Sequence, residues 1–157
     1  MDYFPVAIRL REKKVVVVGG GKVAGRKVAI LLDTGALIQI IAPKLSVELK
    51  NLADKEVISW VKKSIEEKDI VGATLIISAT DQKEVNSKVS IWAKKRGIPI
   101  NVVDNSYLSD FISPALIKKN KALVAVYTDG KDPVLSRDLK NYLYEKWNDF
   151  LLFRDKS

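Results

Sequence analysis

The chain contains no cysteine and no histidine. The first absence excludes a disulfide scaffold, a thiolate nucleophile, a zinc knuckle and an iron–sulfur site. The second excludes a Ser-His-Asp triad, a histidine-ligated metal and imidazole acid–base catalysis. Proton transfer is left to Asp, Glu, Lys, Tyr or a bound water. A protein-held metal would need oxygen ligands, and no such site is expected. Long apolar runs are missing too, since no stretch approaches the roughly 18 residues of a membrane span. The opening MDYFPVAIRLREKK lacks a signal-peptide layout, because its charges follow its short apolar run. These absences give the expectation of a soluble cytoplasmic protein that makes no use of a membrane.

What is present suits a globular fold. The 157 residues, 47% apolar and 29% charged, amount to about one domain. A chain of that length buries roughly two thirds of its unfolded surface and needs no staple. Lys and Arg number 27 against 19 Asp and Glu, a net charge of +8. That surplus fits an anionic partner or a solvated lysine-rich surface. The basic residues are dispersed, and no reading helix or aromatic platform stands out, so nucleic acid is not expected.

The chain alternates between strand and helix patterns. Val15–Val18 is a β-branched run of the kind buried on both faces. Gly19-Gly20-Gly21 follows, then a helical spread from Lys22 to about Thr34, with Gly35 placed to end it. Leu37–Ile41 reads as a second strand, closing a βαβ unit. A short helix is expected over Ser46–Asp54, strands over Val57–Val61, Leu75–Ser78 and Ile100–Val103, and a long helix over Gln82–Arg96. This is an α/β pattern with a mostly parallel sheet. After Asp104 the pattern changes. Phe111–Lys118 and Ala122–Tyr127 predict a hairpin joined by Lys119-Asn120-Lys121. Asp132 can cap a helix that starts at Pro133 and carries Leu135, Leu139, Leu143, Trp147 and Phe150. A hairpin with one helix buries little alone. Aromatic residues on more than one face of that helix (Tyr142, Tyr144, Trp147) point to a dimer arm.

Gly19-Gly20-Gly21-Lys22-Val23-Ala24 matches the dinucleotide fingerprint G-x-G-x-x-(G/A). Gly19 permits the tight turn, Gly21 lets backbone approach a pyrophosphate, and Ala24 allows close helix–strand packing. The fingerprint lies between a strand and a helix, as its mechanism requires. Its usual acidic partner at the end of the second strand is absent, where Ala42, Pro43 and Lys44 stand instead. Lys44 is either a ribose-phosphate contact or a solvated loop lysine, so the residues leave NAD and NADP both open. Ala79, Thr80 and Asp81 follow the fourth strand and would line the same crevice, although Asp81 reads equally as a helix cap. Asn101 to Asp104 end the fifth strand at that rim. With no histidine or cysteine, Asp104 is the candidate base, or else a turn-forming residue before Asn105-Ser106.

These residues resemble the precorrin-2 dehydrogenase module of siroheme synthases, which in some members is also a sirohydrochlorin ferrochelatase. The likeness is carried by Tyr3-Phe4-Pro5-Val6, by Val15–Ala24 with Arg26-Lys27, and by Ala42-Pro43. It continues through Ala79-Thr80-Asp81 with Asn86, Asn101–Asp104, Phe111-Ile112 with Pro114, and Val124–Val126 through Gly130, Pro133 and Arg137. The resemblance implies a Rossmann-like parallel sheet with helices on both faces over residues 1–112. A hairpin-plus-helix dimerisation region would follow over 113–157. The helical domain that follows in longer relatives is expected to be absent.

It also implies oxidation of precorrin-2 to sirohydrochlorin with NAD as hydride acceptor, in a homodimer. Asp104 would be the functional aspartate. Asn101, Asp104 and Thr128 would meet substrate, Thr128 standing where relatives carry serine. The positive surplus then has a rationale in a polycarboxylate tetrapyrrole. Lys22, Arg26 and Arg137 are its candidates at the rim, Arg137 reading also as a dimer-interface ion pair. Chelation would fall to Asp104 alone, so the expectation is a dehydrogenase without it. The competing expectation is a non-catalytic NAD(H)-sensing Rossmann regulatory module.

Overall fold

Val15 to Val18 occupy β1 (Lys14–Val18), and none is more than 2% exposed. Successive strand side chains point to opposite faces. Val15 and Val17 therefore enter one core layer, and Val16 and Val18 the other. Such a strand needs cover on both faces, which helical crossovers supply. The computed structural model describes residues 2–103, 105–119 and 122–154. Asp104, Asn120 and Lys121 lie outside the described residues. The chain divides into two compact units, Pro5–Phe111 and Met1–Phe4 with Ile112–Ser157.

The larger unit runs β1, α1 (Lys22–Leu32), β2 (Leu37–Ile41), α2 (Val47–Asp54), β3 (Ser59–Val61), β4 (Leu75–Ser78), α3 (Lys83–Lys95) and β5 (Ile100–Val102). Its sheet has the order β3-β2-β1-β4-β5 with every pairing parallel. Val18 pairs with Ile41 on one side and Ser78 on the other. Ala24, Val28 and Leu31 of α1 and Leu49 of α2 fill one layer with Val15, Val17 and Ile40. Val89 and Ala93 of α3 fill the other with Val16, Val18, Ile76 and Ile100. The chain winds outward from β1 to β3, then returns to β4 on the far side of β1. The loops leaving β1 and β4 part there, opening the crevice typical of a doubly wound sheet.

Local chemistry sets several boundaries. The Ser46 hydroxyl accepts the Leu49 N–H at 3.4 Å and starts α2. The third strand begins at Ser59 rather than Val57, because Val57 N–H still donates to Leu52 at 3.0 Å in the turn after α2. Beyond β5, Asp110 exchanges bonds with Ile100, its N–H donating at 2.7 Å and its carboxylate accepting at 3.1 Å. The Ser109 hydroxyl accepts from Val102 N–H at 2.8 Å. This segment covers an edge that would otherwise stay open.

In the smaller unit, β6 (Ala115–Lys119) and β7 (Ala122–Val126) pair antiparallel, with Lys119 opposite Ala122. Lys119 thus belongs to the strand instead of the connection. The strand starts after Pro114, which has no N–H to give a ladder. The Asp132 carboxylate accepts from Leu135 N–H at 2.8 Å, and Pro133 takes the first position of α4 (Pro133–Glu145). The expected single helix is two, because Lys146, at ψ 3°, separates α4 from α5 (Trp147–Arg154). Trp147 and Phe150 then pack on each other, ring centroids 5.5 Å apart. The N–H groups of Asp2 and Tyr3 donate to the Asp129 carboxylate at 2.9 and 3.1 Å. Its bond to Lys131 comes first among the causes that hold Asp129 below the usual carboxylate range. Among the described residues no helix is long and apolar enough to cross a membrane.

Candidate functional site: a cleft at the glycine bend

Three successive glycines leave β1 for different physical reasons. Gly19 sits at φ +109°, a conformation side chains rarely adopt, and a Cβ there would strike the Ala79 carbonyl. A Cβ on Gly20 would strike the Lys44 carbonyl and come within 2.9 Å of the Leu45 side chain. Gly21 is in ordinary extended backbone at φ −86°, and a Cβ there would meet no described atom within 4 Å. The fold therefore requires glycine at 19 and 20 but not at 21, where the space is open.

That space belongs to a cleft of about 890 Å³ beyond the carboxyl ends of β1, β2 and β4. Backbone bonds fix its walls. Ser46 N–H donates to Gly20 at 2.7 Å, Gly19 N–H to Ile41 at 3.1 Å, and Ala79 N–H to Val18 at 2.8 Å. The Trp60 indole N–H holds the Ala42 carbonyl at 2.9 Å. The cleft gathers Gly19, Gly20, Gly21, Lys22 and Val23 with Ala42, Pro43, Lys44, Ala79, Thr80 and Asp81. Ala24 does not reach it, being fully buried in the layer under α1, where its small size permits close packing. Asp81 is not the cap of α3, because that position falls to Gln82.

The cleft's chemistry favours an anion. Helix α1 begins at Lys22 with no side-chain cap and no acid in its first turn. Its leading N–H groups are thus available beside the open face of Gly21. Among the described residues the lining carries Lys22 and Lys44 against a single acid, Asp81. Glu48 is held below the usual carboxylate range, first by its backbone hydrogen bond, then by the Ser46 hydroxyl, with Lys22 adding its charge. No carboxylate stands at Ala42, Pro43 or Lys44. These residues fit the diphosphate of a dinucleotide, while the usual acidic ribose partner is missing.

Of the expected substrate residues, Asn101 belongs to the larger unit and is not among the residues that line this cleft. Asn101 is buried on β5, its amide donating to the Phe111 carbonyl at 3.0 Å. Its Oδ1 has no hydrogen-bond partner among the described residues. Thr128 lies in the smaller unit, where its hydroxyl is 2.7 Å from both the Asp132 carbonyl and the Ser136 hydroxyl. Asp104 falls outside the described residues, although its neighbour Val103 lines the cleft. Of the rim cations, Lys22 lines the cleft, and Arg26 is exposed on α1 outside the lining. Arg137 pairs with the adjacent Asp138 at 2.9 Å on α4.

Ser64, Ile65, Gln82 and Val85 also line the cleft. No motif marks them. They arrive because β3 ends next to β2 and α3 begins just after the β4 loop, at the same end of the sheet.

Residues 6–115 match the model of a family described as "Putative NAD(P)-binding". The chain is 46% identical over 140 residues to a siroheme synthase of Methylococcus capsulatus, covering 89% of this chain and 30% of that one. It is 43% identical over 143 residues to siroheme synthase 1 of Aeromonas salmonicida, covering 91% and 31%. The chain thus spans under a third of the length of these relatives. Among solved structures, "SirC, precorrin-2 dehydrogenase" superposes with a TM-score of 0.81 at 28% identity, over 92% of this chain and 71% of that one.

Proposed function

The chain belongs to this NAD(P)-binding family, and from that premise we propose that it oxidises precorrin-2 to sirohydrochlorin in siroheme synthesis, with NAD as hydride acceptor. The observation that carries the proposal is the glycine bend: α1's uncapped amides open onto a cleft beside a glycine that the fold itself does not require. The likeness to two siroheme synthases and to a precorrin-2 dehydrogenase supplies the substrate.

The dinucleotide supplies hydride acceptance when bound. The chain's own residues bind, orient and move a proton. Backbone N–H groups at Lys22 and Val23 meet the diphosphate, and the absent Cβ of Gly21 allows the approach. Ala79, Thr80 and Asp81 would hold the nicotinamide half of the dinucleotide, and Ala42, Pro43 and Lys44 its adenosine half. Asp104, next in sequence to Val103, takes the proton that leaves as the macrocycle gains conjugation. Asn101 and Thr128 are assigned to the substrate by family resemblance. Lys22 and the positive balance attract the substrate's carboxylates, an effect that weakens as salt rises.

The smaller unit forms a homodimer. Among its described hydrophobic residues only Ile117 and Val126 are buried, while Leu123, Val134, Leu135 and Tyr142 are each more than half exposed. That apolar surface needs a partner. The proposed setting is the cytoplasm. The deciding test is NADH formation from NAD and precorrin-2. Nucleotide binding without turnover would instead identify a sensing module.

A further inference from the structure

We infer that Asn86 is a positioning residue for the nicotinamide half of the bound dinucleotide; the inference rests on the cofactor reading above. Asn86 lies on the first turn of α3, and only 7% of it is exposed. It does not line the cleft. Its amide nevertheless holds two points of the loop that does, and the strand end just before it. Nδ2 donates to the Thr80 carbonyl at 3.0 Å. Oδ1 accepts from the Ser78 hydroxyl at 2.7 Å, and Ser78 is completely buried at the end of β4. The Thr80 hydroxyl lies 3.0 Å from the same Oδ1 and 3.1 Å from the Gln82 carbonyl, so its one proton is shared between them. It also accepts from Gln82 N–H at 3.2 Å.

One side chain thus fixes both the entry to the loop, at Ser78, and its middle, at Thr80. The loop cannot drift toward the glycine bend, because the Ala79 carbonyl already occupies the place of a Gly19 Cβ. Ala79 stays tied to Val18 by its N–H, but without Asn86 the stretch beyond it, at Thr80, can move the other way and widen the cleft. A buried amide satisfied by specific partners is costly to remove, and its loss leaves the Ser78 hydroxyl without an acceptor. The adenosine side is built separately, by β2, the Trp60–Ala42 bond and the glycine bend. The effect of Asn86 therefore falls on one half of the ligand.

The test compares NAD with ADP, which carries only the adenosine and diphosphate portions, by calorimetry on the full chain. Asn86→Ala is expected to weaken NAD about tenfold and leave ADP within about twofold. Thr80→Val should shift the NAD-to-ADP ratio in the same direction, and Thr80→Ser should restore it. This pair keeps the question answerable if Asn86→Ala does not fold. Equal weakening of both ligands would mark Asn86 as merely structural and overturn the inference, as would no change in either. Wild-type chain that binds neither ligand would defeat the cofactor reading itself.

Discussion

Alanine at Gly20 and alanine at Gly21 should separate the fold's needs from the ligand's. At Gly20 the new methyl would meet the Lys44 carbonyl and the Leu45 side chain. The Gly20 carbonyl also accepts from Ser46 N–H at 2.7 Å, so the two loops cannot part without losing that bond. Overpacking of this kind costs about 1–3 kcal/mol. For a domain of this size that corresponds to a fall of roughly 2–12 °C in the melting midpoint. At Gly21 the methyl meets no described atom, and the backbone is in a region open to any residue. Stability should change by less than about 0.5 kcal/mol, or rise slightly because the unfolded chain loses freedom. Binding should respond in the opposite order: Gly21→Ala weakens the dinucleotide about tenfold or more, because the methyl stands where the diphosphate approaches. Gly21→Asp adds charge and should abolish binding. Differential scanning fluorimetry and NAD calorimetry on the variants give both readings. A folded Gly21→Asp that binds NAD normally would refute the placement of the diphosphate.

Asp104→Ala should retain NAD binding and lose most precorrin-2 turnover, measured as NADH absorbance; full turnover would remove Asp104 from the mechanism. The missing acid at the end of β2 means that a 2′-phosphate meets no carboxylate there, so NADP should bind within about tenfold of NAD. Lys44→Glu should weaken NADP more than NAD in the same titration. Asp129 titrates below its unfolded value, so its contribution to stability is present above about pH 4 and is lost as pH falls through the folded pKa. Asp129→Asn should lower the melting midpoint at pH 7 and flatten its decline in acid, read by thermal melts across pH.

Much of the fold was legible because its signals are local. The β-branched run of Val15–Val18 specifies a strand covered on both faces, and the bounds of β2 and β4 coincide with their apolar runs. The Asp132-Pro133 pair marked the start of α4 for a stereochemical reason that holds in isolation. The break at Lys146 was hidden because the apolar stripe runs through it, and spacing alone does not register one residue's change in ψ. Ser64 and Ile65 were missed in the cleft because only the sheet order brings the end of β3 to that rim. The bonds from Asp2 and Tyr3 to Asp129 join positions more than 120 residues apart, and no pattern in either segment announces them. The different roles of the three glycines were partly legible. The motif names Gly19 and Gly21, but the collision at Gly20 depends on where the β2 loop passes.

The most direct test is a coupled assay in which freshly made precorrin-2 and NAD are given to the purified full chain. Stoichiometric NADH and sirohydrochlorin should appear together in the wild type and vanish in Gly21→Asp. Tight NAD binding with no NADH from precorrin-2 would contradict the assignment.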